Sequence, residues 1–249
     1  MICIFCNSKF GLSPVEHIVP ESLGNIEYVV PKNIICKVCN TSFSEFEKKA
    51  INNTHLGFIR IKNGIKTKKN KPATFELGHI KAVGDSRYQK DLITFDGLKE
   101  GDTFNHKPDG SYQLTIPDFD KSEMATAKML LKIGFESIYK SQKGLLTQYD
   151  FTPLKEYLTN KSNKDWPFLT SYHRPYKFKS IPTFNDKHHL NKIKCKLGFY
   201  KFSSEVLLFD FQYDYMNLTI DLLNRDYSWC QIYFENDTST TLYPKHLKK

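Results

Sequence analysis

Four of the six cysteines form two pairs, Cys3-x2-Cys6 and Cys36-x2-Cys39, with 29 residues between them. A Cys-x2-Cys turn brings two sulfurs to one ion. Two such turns complete a closed tetrahedral thiolate site of the kind that holds structural zinc. The alternatives are two disulfides or unrelated thiols. The chain opens Met1-Ile2-Cys3-Ile4-Phe5-Cys6, with no basic segment followed by a long apolar run. No secretory signal is therefore expected, and a reducing cytoplasm is the default. In that setting Cys3, Cys6, Cys36 and Cys39 are expected to bind Zn²⁺. A segment of roughly 50 residues has too little core to fold comfortably alone, and the metal would supply the missing free energy. Cys195 and Cys230 lie far off in strand-like sequence and read as core thiols.

Between the pairs the chain reads Val15-Glu16-His17-Ile18-Val19-Pro20-Glu21-Ser22-Leu23-Gly24-Asn25, then Pro31-Lys32-Asn33-Ile34-Ile35, and Asn40 follows the second pair directly. An acid beside His, Ile-x-Pro after it, a central Asn, and a second Cys-x2-Cys followed by Asn occur in that order. The arrangement resembles the zinc-bearing branch of the HNH endonucleases, a family with the ββα-metal fold. The resemblance covers residues 3 to about 50, roughly a fifth of the chain. It implies His17 as the general base that activates the attacking water. It implies Glu16 as the acidic ligand of a catalytic Mg²⁺ or Mn²⁺, and Asn40 as a second ligand at the start of a helix. Asn33 would brace the loop that holds the base, and the four cysteines would be the structural zinc ligands. Position 16 carries Glu where many relatives carry Asp, and the extra methylene displaces the carboxylate.

The residues support this chemistry without the family. Phosphodiester hydrolysis needs a water deprotonated near neutral pH, where histidine titrates. It also needs a cation to stabilise the developing charge and the leaving oxygen. A carboxylate and an amide oxygen are hard ligands that suit Mg²⁺ or Mn²⁺. On a strand, adjacent Glu16 and His17 point to opposite sides, so each has its own task. Each residue also has a plainer reading: a surface turn for Glu16-His17, a helix N-cap for Asn40, a turn for Asn33. Two functions follow. One is a metal-dependent endonuclease that hydrolyses DNA, as in restriction or phage defence. The other is a zinc-stabilised nucleic-acid-binding module that does not cut.

The 249 residues carry 36 Lys and Arg against 27 Asp and Glu, a net +9 that favours polyanionic partners. The first 50 residues are neutral, with five Lys and five acids. Most of the excess lies in one acid-free run, Arg60, Lys62, Lys66, Lys68, Lys69 and Lys71. It reads either as a solvated loop or hairpin or as a strip that contacts DNA phosphates. No stretch approaches a membrane span. Asp186 with His188-His189, Tyr172-His173-Arg174 and Trp166 are weaker candidates for metal or nucleic-acid contact, with a polar turn and ordinary packing as their plainer readings. One site per chain makes a homodimer attractive for cutting both strands.

The expected fold class is α+β: a small ββα-metal module over residues 1–55, and a larger α+β domain over 56–249 for target recognition, dimerisation or coupling to a protein partner. In the module a helix is expected from Asn40, with Ser42 and Glu45 as a capping box. Further on, residues 74–83 and 92–95 read as strands, and 102–116 as a hairpin turning at Pro108-Asp109-Gly110. Residues 122–140 read as one long buried helix, and a shorter helix is expected to start with Thr152 as cap and Pro153 first. Residues 160–192 read as irregular. The last 55 residues read as a β-meander over 193–202, 205–211, 218–223 and 228–234.

Overall fold

The two-residue strands β1 (Glu16–His17) and β2 (Val29–Val30) pair antiparallel, and helix α1 (Lys37–Asn52) follows them. The computed structural model describes residues 1–67, 69–77, 80–101, 104–114, 118–120, 122–160, 164–171, 180–190, 193–234 and 240–247, with backbone alone at 77, 180–190, 193 and 194. The chain is mixed α+β, as its periodicities predict. Helix α1 starts three residues earlier than expected. Cys36 occupies its N-cap, and the Cys36 sulfur accepts the Cys39 N–H at 3.4 Å. Asn40 therefore lies inside the first turn, and Ser42 with Glu45 forms no box at the helix start. Helix α2 (His55–Lys62) begins at Thr54, whose hydroxyl accepts the Leu56 N–H.

Three strands form a small antiparallel sheet: β3 (Thr74–Leu77), β4 (Ile80–Gly84) and β5 (Ile93–Asp96). Strands β6 (Phe104–His106) and β7 (Tyr112–Leu114) make the expected hairpin. The long helix α3 (Glu123–Ser141) is followed by α4 (Leu145–Gln148) and α5 (Thr152–Thr159). The start of α5 is one residue earlier than expected: Thr152 is already helical, and Asp150 Oδ1 accepts its N–H at 2.9 Å.

The main sheet has six antiparallel strands in the order β13-β8-β12-β11-β10-β9. They are β8 (Phe168–Ser171), β9 (Ser180–Leu190), β10 (Ile193–Lys201), β11 (Leu207–Tyr213), β12 (Met216–Asp221) and β13 (Thr241–Tyr243). Consecutive pairing of β10, β11 and β12 matches the first three strands of the expected meander. Two expectations fail. Residues 160–192 are not irregular, since β8 and β9 lie there. β8 is four residues long and wholly buried between β12 and β13, so distant partners decide its state. Residues 228–234 are not a strand but a 3₁₀ turn running into α6 (Gln231–Phe234). Asp226 accepts from the Ser228 N–H and hydroxyl, and Trp229 and Tyr233 meet one helical turn apart.

Helix α3 lies on one face of this sheet. A Cβ on Gly134 would stand 2.8 Å from Leu222 and 3.1 Å from Phe209, so the absent side chain sets the approach. Trp229, Cys230 and Tyr233 cover the other face with Leu208 and Leu242. On its outer side α3 packs on α1, and Phe5 sits between Phe43 and Phe135 at centroid distances of 4.7 and 5.2 Å. One apolar cluster thus runs from Cys3 through Phe43 and Phe135 to Phe209 and Leu222. Trp166 belongs to the buried interior and donates to the Asp221 carbonyl. Tyr172-His173-Arg174, with the side chains of Asp186, His188 and His189, lies outside the described residues. Among the described residues no helix is long and apolar enough to cross a membrane.

Buried Asp221 closes β12. Its Oδ1 accepts the Leu207 and Leu223 N–H groups, and burial pushes the carboxyl up to about 7. The folded chain then holds a proton that the unfolded chain releases near pH 4. The stabilising contribution is complete below pH 4 and is lost as pH rises to about 7. Denaturant unfolding should show a wild-type stability that falls over this window by an amount on the order of a few kcal/mol. Asp221→Asn keeps the acceptor and should lose that slope. Equal slopes in the two proteins would refute the assignment.

Candidate metal centre and the Glu16–His17 site

The four paired sulfurs lie within 4.8 Å of one another, with Cys6 and Cys36 at 3.7 Å. Zinc–sulfur bonds of about 2.3 Å give tetrahedral edges of about 3.8 Å, so the donor set fits zinc in both chemistry and spacing. None of the six cysteines is disulfide-bonded, and the sulfur spacing suits a shared ion. The backbone explains the convergence. After Cys6 the chain reverses at Asn7, which takes a left-handed φ of 57° and returns its N–H to the Cys3 carbonyl. The Ile4 N–H donates to the Ile34 carbonyl and joins the two turns, and the Cys36 N–H donates to the Cys3 sulfur at 3.4 Å.

Thiol electrostatics point the same way. The hydrogen bond with Cys39, helped by backbone N–H donors, draws the Cys3 thiol down to about 4. The same contact pushes Cys39 far up, and burial raises Cys36. One thiolate is comfortable there and further ones repel it, so a divalent cation is the group that lets all four ionise. Cys195 and Cys230 are buried with raised pKa values, as core thiols should be.

The loop between the turns is fastened by two asparagines. Asn33, at a φ of 67°, accepts the Ser13 N–H at 2.8 Å and gives its own N–H to the Ser13 hydroxyl, tying the approach to β1 to the exit of β2. Asn25, 1% exposed, does more: it donates to the Val19 and Tyr28 carbonyls at 2.6 and 2.8 Å and accepts the Tyr28 N–H. Sequence reading gave Asn25 no role, although Gly24-Asn25 is a turn signal. Gly24 indeed takes a φ of 95° there.

On β1 the Glu16 and His17 side chains diverge. His17 Nε2 stands 3.9 Å from Glu21 Oε2, with the pair partly open to solvent, while Nδ1 is buried without a hydrogen-bond partner. Glu16 turns inward. Its Oε1 meets the ammonium of Lys132 on α3 at 2.9 Å, and the same ammonium donates to the His17 carbonyl at 2.9 Å. Glu47 Oε1 stands 2.8 Å from it and Glu136 Oε2 3.4 Å. The Lys132 and Glu136 side chains are fully buried. Burial opposes the charge on Lys132, but Glu136, Glu47 and Glu16 outweigh it and raise its pKa, whereas burial drives the Glu136 carboxyl well up. The Lys132 ammonium thus joins Glu47 of α1 to Glu16. Asn40 lies seven residues before Glu47 on the same face of α1, about 10 Å along the axis. Sequence reading missed Lys132. Its signal was a charged i, i+4 pair, Lys132 and Glu136, inside an otherwise apolar helix face.

The basic run is not one strip. Arg60 belongs to α2 and is 7% exposed, so it leaves the phosphate-contact set. Helix packing claims it, a claim that counting charges does not reveal. Lys62 pairs with Asp91 at 3.7 Å and lies over the Tyr215 ring. Lys66 lies over the Tyr88 ring, and Lys69 and Lys71 are exposed around a turn in which Thr67 and Lys71 exchange hydrogen bonds. Lys68 lies outside the described residues. Comparison with protein-family models, with curated proteins and with solved structures gave no match to this chain.

Elemental analysis of the purified chain should find about one zinc per molecule. Cys36→Ser removes both a ligand and the sulfur that caps α1. It should release the metal and expose residues 1–50 to proteolysis. A metal-free native chain whose four thiols all react at once with a thiol reagent would exclude the centre.

Proposed function

We propose that the chain is a metal-dependent endonuclease of the HNH type that hydrolyses DNA phosphodiester bonds. The observation that carries the reading is the order hairpin then helix, framed by the four-cysteine cluster, with Glu16 and His17 side by side on the hairpin and an unpartnered ring nitrogen on His17. The His17 ring is partly open to solvent, and a neutral imidazole keeps one lone pair that can take the proton of an attacking water. Asn33 and Asn25 hold the loops on either side of β1, so the base keeps its place. Glu16 offers a hard carboxylate ligand through the oxygen that Lys132 does not hold. A bound Mg²⁺ or Mn²⁺ would supply the positive charge that stabilises the leaving oxygen. Asn40, in the first turn of α1, would offer an amide oxygen as a second hard ligand. The exposed lysines of the 66–71 turn are suited to contact DNA phosphates.

A second reading, a zinc-stabilised module that binds nucleic acid without cutting, has one observation in its favour: Lys132 already occupies one oxygen of Glu16. Supercoiled plasmid separates the two. Incubated with the chain and Mg²⁺ or Mn²⁺, it should be nicked, and EDTA should stop the reaction. A positioned base contributes about 10²- to 10⁴-fold, so a folded, zinc-loaded His17→Ala chain should lose at least the lower factor while keeping DNA affinity. Cleavage at the wild-type rate would overturn the assignment. Binding without nicking under every divalent metal would favour the second reading.

The turn is tested separately. Replacing Lys66, Lys69 and Lys71 with Ala should weaken DNA binding and reduce its salt slope by up to about 0.9 for each phosphate no longer neutralised. An unchanged slope would return the turn to a solvated loop.

A further inference from the structure

We propose that Lys132 is a positioning residue of the Glu16–His17 site, so that α3 is part of that site. Its catalytic consequence rests on the nuclease reading, whereas its effect on the hairpin does not. An ammonium has three N–H donors. Lys132 has three oxygens within 2.9 Å: it donates to Glu16 Oε1 and the His17 carbonyl, and forms an ion pair with Glu47 Oε1. Glu136 stands farther off at 3.4 Å as a fourth neighbour. Two of the three short contacts go to adjacent residues of one strand, one to a side chain and one to backbone. The first fixes which Glu16 oxygen is engaged and leaves Oε2 as the oxygen free for a ligand. The second fixes the height of β1. Because strand side chains alternate, holding Glu16 toward α3 turns His17 to the opposite side. One amine thus sets both the free carboxylate oxygen and the facing of the imidazole.

A purely structural role explains this cluster poorly. Well-packed apolar residues commonly replace a buried ion cluster at no cost in stability. A two-residue strand, by contrast, has little pairing of its own and needs an outside anchor. Glu47 extends the anchor to α1, so β1, α1 and α3 meet at a single nitrogen.

The test uses the full zinc-loaded chain. Lys132→Met removes the anchor. Should the stranded carboxylates unfold that variant, Lys132→Met/Glu47→Gln/Glu136→Gln removes two of the three carboxylates as well and keeps Glu16. In whichever variant folds, hydrogen exchange of the β1 and β2 amides should be at least ~10-fold faster, while amides of the main sheet keep their protection. Mn²⁺ binding, followed by the fall of the free-ion electron paramagnetic resonance signal, should need about 10-fold more metal, since a misplaced ligand costs affinity on that scale. Plasmid nicking should fall mainly by the same rise in metal demand. A role confined to stability would lower the unfolding midpoint and leave Mn²⁺ affinity unchanged in the folded protein. Wild-type exchange and wild-type Mn²⁺ affinity in a folded variant would overturn the proposal. If the wild-type chain neither binds Mn²⁺ nor nicks DNA while exchange in the variant still rises, the nuclease reading fails and the positioning role stands.

Discussion

The ammonium of Lys132, enclosed by Glu16, Glu47 and Glu136, is the contact on which the site's geometry depends. Taking an ammonium out of water carries an effective penalty of several kcal/mol. It is tolerated only where close oxygens replace the hydration shell, and here three lie within 2.9 Å. The carboxylates have the reciprocal need, since without the amine they would repel one another in a dry environment. Burial pushes the Glu136 carboxyl well up, and the nearby ammonium opposes that push. The cluster is therefore a mutual dependence among three elements, and moving any one of them strands a charge.

The same dependence explains how so small a hairpin keeps its shape. Strands of two residues cannot hold side chains in place by their own ladder. The hairpin is held from outside at every edge: by the cysteine cluster at its two ends, by Asn33 and Ser13 across its open side, by Asn25 within its connection, and by Lys132 beneath β1. Each fastening satisfies backbone groups that would otherwise be buried without partners. The segment uses its polar residues to hold shape, and Glu16 and His17 are left with groups free to act.

What could be read from the sequence was what is local. Cys-x2-Cys spacing is a property of one turn, and it located the cluster correctly. Helical spacing gave α3, and turn residues gave the β6–β7 hairpin. What failed depended on distant partners. Strand β8 sits in a polar, proline-containing stretch and is a strand because β12 and β13 flank it. Residues 228–234 are apolar enough for a strand, yet Asp226 caps them into a helical turn. Arg60 looked like surface charge until α2 turned it inward. Glu16 and His17 are adjacent in sequence, but the amine that contacts both comes from a helix that begins more than a hundred residues later.

That distance bears on where the functional unit ends. The motif stops near residue 50, and a boundary at 55 follows the sequence pattern. The packing does not stop there. Phe5 is wedged between Phe43 of α1 and Phe135 of α3, and one apolar cluster continues from Cys3 to the main sheet. Lys132 and Phe135 lie almost one turn apart on α3, so the same stretch of helix supports both the metal cluster and β1. A fragment ending at residue 55 would keep all four cysteines, Glu16 and His17, yet it would expose Phe5 and Phe43 and leave Glu16 and Glu47 facing water. The four clustered cysteines are local, whereas the orientation of Glu16 and His17 depends on α3 as well. The larger part of the chain thus holds β1 through packing and charge.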